Sequence, residues 1–183
     1  MSAQINELVT LAKSGDADAF GELYELYYKE MFYYARCVTG SEALAEDAVS
    51  EAVLSAFKQI GSLKKNEAFK GWLFKILCAS CKRQYTENQH KKTLVWLDDE
   101  TGGEEPSKPI DTELSIDLKS ALSVLSREER EIVLLGTVEK YKSHEIAAML
   151  GCKAVTVRSK HKRALKKMRD FLEENTAKGG VKR

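Results

Sequence analysis

The chain has 183 residues, 43% of them hydrophobic and 31% charged, with a formal net charge of +1. That is enough apolar material for one domain or two small ones, and no apolar run approaches the roughly 20 residues needed to span a bilayer. The first residues, MSAQINELVTLAKSGD, have neither the basic start nor the apolar middle of an export signal, so a cytoplasmic protein without membrane insertion is expected, with Cys37, Cys78, Cys81 and Cys152 as reduced thiols.

The first periodic stretch, DADAFGELYELYYKEMFYYARCV, repeats Phe20, Leu23, Tyr24, Tyr27, Met31 and Tyr34 at helical spacing. The next, SEALAEDAVSEAVLSAFKQIG, places Ala45, Ala48, Val49, Ala52, Val53, Ala56, Phe57 and Ile60 on an i, i+3, i+4 stripe. Ser41 is its expected N-cap and Gly61 its stop signal. Off that stripe lie Asp47, Ser50 and Glu51, a polar and acidic face. A short loop follows in GSLKKNEAFKGWLFK, and the helix after it groups Phe69, Trp72, Leu73, Ile76 and Leu77 on one side.

Both prolines, Pro106 and Pro109, fall in DDETGGEEPSKPID together with Gly102 and Gly103. This is the only long stretch with linker chemistry. It divides the chain into a domain over 1–92, a flexible acidic linker over 93–111, a second domain over 112–175, and a tail over 176–183 expected to be disordered. Nothing shows sustained strand alternation, so the expected fold is all-α, two small helical domains.

The near-neutral total conceals alternating blocks. Residues 1–63 carry ten acids against four bases and residues 64–92 eight bases against two acids. Residues 93–117 carry eight acids against Lys108, and 151–183 eleven bases against three acids. Two basic blocks separated by acidic ones point to two contacts with a polyanion.

The second basic block begins in SHEIAAMLGCKAVTVRSKHKRALKKM, which has the pattern of a helix-turn-helix. Ser143 is placed to cap a first helix with Ile146 and Leu150 inward, Ala147 is small where two helices cross, and Gly151 marks the bend. Val157, Ala164, Leu165, Met168, Phe171 and Leu172 are expected on the buried side of the second helix. Arg158, Lys162 and Lys166 line its exposed side, with Ser159 and Arg163 beside them. Such a helix suits the major groove, where arginine pairs with guanine and lysines hold phosphates. His161 falls within the apolar stripe and reads as a packed histidine, since no acid or nucleophile is placed by sequence to work with it.

A metal or redox reading has only Cys78-x-x-Cys81 to stand on. Two such cysteines supply half a zinc site, no second pair exists, and the nearby histidine is His90, nine residues on. They read as small packed residues, and no cofactor is expected. No nucleotide loop, catalytic triad or paired catalytic carboxylates appear, so the chain does not read as an enzyme.

LKSALSVLSREEREIVLLGTVEKYKSHEIAAMLGCKAVTVRSKHKRALKKM resembles region 4 of sigma-70-family transcription initiation factors. The matching positions are Leu122, Leu125, Arg130, Glu145–Ala147, Leu150–Gly151, Thr156–Val157, Ser159 and Arg163–Ala164. GDADAFGELYELYY, AEDAVSEAVLSAF and FKGWLFKI resemble region 2 of the same family. With only these two regions and a short linker, the chain resembles an extracytoplasmic-function (ECF) sigma factor over about 10–175.

That resemblance implies binding to core RNA polymerase (the beta-prime clamp and the beta subunit), to promoter DNA and to an anti-sigma factor. It implies −35 contacts from Thr156, Arg158, Ser159, Lys162, Arg163 and Lys166. Contacts with the −10 element would come from Lys64, Lys65, Asn66, Phe69 and Lys70, where bases and an aromatic suit an unstacked strand. Asp47, Ser50 and Glu51 would dock on the clamp. The chain departs from the family pattern at Ala79 and Arg83, usually Asn and Asp, at Ser50, often Gln, at Val155, often Gly, and at His161, usually aliphatic. A DNA-binding regulator sharing only the helix-turn-helix is the alternative.

Overall fold

A computed structural model describes residues 3–95 and 116–179. Its elements form two units, divided between Lys108 and Pro109. The first contains α1 (Ala3–Lys13), α2 (Ala17–Thr39), α3 (Glu42–Gln59), short 3-10 turns at Ile60–Ser62 and Asn66–Ala68, and α4 (Phe69–Val95). The second contains α5 (Ile116–Ser123), α6 (Arg127–Val133), a π turn (Leu134–Val138), α7 (Ser143–Leu150) and α8 (Ala154–Gly179). The described residues contain no strand. The proposed linker residues 96–111 lie outside the described residues.

Helix ends in the first unit follow their local chemistry. Asp16 caps α2, its carboxylate accepting from the amides of Asp18 and Ala19 at 3.0 Å each. Gly40 closes α2 in the left-handed region, φ 74°, its N–H donating to the Arg36 carbonyl. Ser41 caps α3 by accepting from the Leu44 amide. α3 then buries Ala45, Ala48, Ala52 and Ala56 completely. A face built of alanine lets α2 and α4 approach closely, because interaxial distance depends on the side chains at the contact.

Around α3 the core is made by Leu8, Val9, Leu23, Met31, Tyr34, Val38, Phe69, Phe74 and Leu77. Tyr34 packs edge-on against Phe74 and its hydroxyl lies 3.2 Å from the Cys78 sulfur. Cys37, Cys78 and Cys81 form no disulfide and are buried, as small packed residues, and Cys152 is exposed. No group of three metal-binding side chains occurs among the described residues.

The second unit is organised by a capping box. Ser126 Oγ accepts from the Glu129 amide at 3.3 Å, and the Glu129 carboxylate accepts from the Ser126 amide at 3.0 Å. Leu122, Leu125, Ile132, Val133, Leu134, Leu135, Ile146, Val157, Ala164 and Met168 form its core.

Several expectations change. Phe57 is 44% exposed, although its ring meets Phe20 edge-on at 5.1 Å; the alanines leave α3 packed on its narrow side, with Phe57 at the margin. Leu165 is 39% exposed for the same reason, at the edge of the seam defined by Val157, Ala164 and Met168. Ser143 is the first residue of α7 and not its cap. The helix is closed instead by Glu145, whose carboxylate accepts from the Lys142 amide at 2.6 Å. α4 continues three residues past the expected boundary at 92, to Val95. α8 runs on to Gly179, so residues 176–179 of the expected disordered tail are helical.

Candidate nucleic-acid interface

Gly151 adopts φ 67°, ψ 36°, and its N–H donates to the Ala147 carbonyl. This left-handed position ends α7 and turns the chain into α8, and glycine occupies it without the penalty a side chain would incur. Ile146 and Ala147 on α7 and Val157 on α8 are buried. Arg158, Ser159, Lys162, Arg163 and Lys166 are all exposed, and Thr156 is half-buried. The Arg163 Nε donates to the Ser159 carbonyl at 3.3 Å, and Lys166 lies 3.6 Å from Asp170.

Two neighbouring lysines behave differently. Lys160 pairs with Glu128, and Lys167 pairs with Glu129 at 2.7 Å. Both acids belong to the first turn of α6, so these two cations fasten α8 to α6. The Lys167 hydrogen bond, with the Ser126 cap, holds the Glu129 carboxyl below its ordinary range. His161 is half-buried, and burial lowers its pKa from the ordinary 6.5.

In the first unit, Asp47 and Ser50 are exposed on α3, but Glu51 is engaged within the protein. Its carboxylate pairs with Arg83 and accepts from the Gln84 side-chain amide at 3.1 Å, both on α4. Beside Asp47 and Ser50 lies Leu54, 61% exposed, with Phe57 beyond it. Leu54 stands four positions after Ser50, so an apolar residue on the polar side of α3 was readable in the sequence.

Among the loop residues, Lys64 and Lys65 are exposed. Asn66 is tied to α1: its amide donates to the Asn6 carbonyl at 3.2 Å and to Thr10 Oγ1 at 2.7 Å, and its oxygen accepts from Lys13. Phe69 is 1% exposed, its ring packed against Tyr27 and Trp72. Lys70 pairs with Glu30 at 2.7 Å and lies over the rings of Tyr27 and Phe74. Further along α4, Lys75, Ala79, Lys82 and Arg83 are exposed.

Two family descriptions match this chain in order. Sigma-70 region 2 matches residues 23–91, and Sigma-70, region 4 matches residues 115–168. The chain belongs to the sigma-70 family. Within it the relatives are ECF sigma factors. BldN of Streptomyces coelicolor is 28% identical, over 95% of this chain and 68% of its own length. SigM of Mycobacterium tuberculosis is 27% identical, over 86% and 79%. SigW of Bacillus subtilis is 23% identical, over 95% and 100%. Among solved structures, CnrH in complex with the cytosolic domain of CnrY has a TM-score of 0.67 at 21% identity, covering 93% of this chain and 98% of that one. The sigma factor RpoE in complex with the anti-sigma factor NepR from Bartonella quintana has a TM-score of 0.66 at 24% identity, covering 90% and 98%. These two likenesses show the fold.

In this sigma factor, the residues expected on the −35 face lie together along one side of α8, with Thr156 at its first turn. The residues expected at the −10 element separate into two kinds. Lys64 and Lys65 are open to a ligand, while Asn66, Phe69 and Lys70 hold the loop against α1, α2 and α4. Their physical role here is to shape the loop. The aromatic the sequence offered for stacking is consumed by the core, because it opens α4 at a position facing Tyr27.

Proposed function

We propose that this sigma factor binds core RNA polymerase and directs promoter-specific initiation, reading the −35 element with α8 and the −10 element with the loop and helix around Lys64 and Lys65. The observation that supports this most strongly is the sorting of charge on α8. Arg158, Lys162 and Lys166 face solvent on one side, while Lys160 and Lys167 are occupied by α6. An exposed arginine–lysine row behind a glycine turn supplies base-edge and phosphate contacts from one helix.

The polymerase-facing surface is the exposed side of α3, with Asp47 and Ser50 beside Leu54. A basic amphipathic helix would satisfy the acid and cover the leucine at once. Glu51 supports that face from behind through Arg83 and Gln84. An anti-sigma factor is the further partner this reading implies; RpoE of Bartonella quintana was solved with one, NepR. The protein works in the cytoplasm, where the polymerase is, as an initiation factor and not an enzyme. No described helix is long and apolar enough to cross a membrane.

Purified chain added to core RNA polymerase and genomic DNA fragments should produce transcripts from discrete start sites absent without it. If the chain binds duplexes specifically yet yields no start site with core enzyme, it is a helix-turn-helix regulator and the initiation role falls.

A further inference from the structure

His161 stands on α8 three residues after Arg158 and immediately before Lys162. Its ring does not point with theirs. The Nε2 atom lies 3.3 Å from Thr137 Oγ1, on the π turn that leads towards α7. It also lies against the bare backbone of Gly136, where a Cβ would come within 3.2 Å of Nε2 and 3.6 Å of Cδ2. The same added carbon would meet Ile146 Cδ1 of α7 at 3.5 Å. The ring edge therefore rests at a point where the π turn, α7 and α8 converge.

The backbone of the turn is fixed independently. The Glu139 amide donates to the Leu134 carbonyl at 3.0 Å, the wide i to i+5 closure of a π turn, and Tyr141 donates to Leu135 at 2.9 Å. An aromatic ring held on one edge by a rigid turn resists rotation of its own helix. An aliphatic side chain would fill the space without the directional bond to Thr137.

We propose that His161 is a positioning residue for DNA reading: lodged against Gly136 and bonded to Thr137, it sets the rotation of α8 about its axis and so the direction of Arg158 and Lys162. The idea rests on the reading of α8 as the −35 helix. Base-edge hydrogen bonds depend on orientation, whereas phosphate contacts tolerate a turned helix. Disturbing the lodgement should therefore lower specificity more than affinity.

The test uses the full chain bound to core RNA polymerase, with duplexes selected from a pool randomised at −35 and their scrambled counterparts as probes. Gly136→Ala should lower the selected-to-scrambled binding ratio about tenfold, the scale of one misaligned base contact, with scrambled binding within about twofold of wild type. In a His161→Ala background the same Gly136→Ala change should have no further effect, because the tight contact with Nε2 is gone and Ile146 Cδ1, at 3.5 Å, is an ordinary van der Waals neighbour. Thr137→Val, which keeps shape and removes the hydroxyl, should lower the ratio in the same direction and serves if Gly136→Ala does not fold. An unchanged ratio in the folded variants, or full additivity with His161→Ala, overturns the positioning role alone. A wild-type complex that selects no −35 sequence overturns it together with the reading on which it rests.

Discussion

Glu51 and Asp47 sit four residues apart on α3 and look equivalent in sequence, yet their replacement should have different consequences. The Glu51 side chain is 25% exposed, accepts from Gln84 at 3.1 Å and pairs with Arg83, whose side chain is 57% exposed. Losing a hydrogen bond to a partly buried carboxylate costs about 1.5–3 kcal/mol. The pair with a largely exposed arginine adds only ~0–1 kcal/mol after solvent screening. Glu51→Ala should then destabilise the α1–α4 unit by about 2 kcal/mol, a fall of roughly 8–16 °C in its Tm for a unit of this size. Asp47→Ala touches nothing comparable and should stay within about 0.5 kcal/mol of wild type. Asp47→Lys should weaken capture of core RNA polymerase roughly tenfold at low salt, mainly through slower association. Calorimetry of the full chain alongside immobilised core enzyme measures both quantities. Equal melting of the Glu51→Ala and wild-type proteins would refute the supporting role of Glu51, and undiminished capture by Asp47→Lys would refute the docking face.

Arg158→Ala should reduce binding to selected −35 duplex by about 1–3 kcal/mol and relax preference at one base pair, while scrambled duplex is nearly unaffected; competition binding against single-base variants reads this directly. The α5–α8 unit should lose stability in two steps on acidification. His161 has a folded pKa below its ordinary 6.5, so its contribution is complete above that value and is lost as pH falls through the folded one. Glu129, also lowered, behaves likewise below its ordinary 4.5. Urea midpoints between pH 7 and 3 should show the upper step vanish in His161→Leu and persist in Glu129→Gln.

The helical class, the caps at Ser41 and Gly151 and the seam of Val157, Ala164 and Met168 were legible because each is written locally, in spacing and residue type. The use of polar side chains was not. Asn66 looks like any loop asparagine until α1 comes back beside it, bringing Thr10 and Asn6 from about sixty positions away in the chain. Phe69 reads equally as a loop aromatic or the first core residue of α4, and only the placement of Tyr27 on α2 decides. Arg83, where the family usually has an acid, became interpretable once Glu51 was found opposite it. Each case depends on a pairing between elements distant in sequence, which periodicity does not carry.

The same limit applies to the eight basic residues from Lys153 to Arg169, which have no acid among them and look alike in sequence. The fold assigns them two tasks. Glu128 and Glu129 occupy the first turn of α6, where the helix dipole favours negative charge, and they hold Lys160 and Lys167 against that helix. Lys162 and Lys166 have no such tether to α6 and stand on the open side with Arg158. Only a cation that neutralises a phosphate releases counterions on binding, so each such contact contributes about 0.9 to the slope of log affinity against log salt. Lys162→Ala and Lys166→Ala should therefore each flatten that slope by about 0.9 with stability close to wild type. Lys160→Ala and Lys167→Ala should leave the slope unchanged and cost stability instead, by ~0–1 kcal/mol for pairs this exposed. Salt titrations of all four variants on one duplex, with urea midpoints for each, separate the groups. If all four flatten the slope alike, α8 presents an undifferentiated cylinder of charge to DNA, and the orientation argued for Arg158 has no basis.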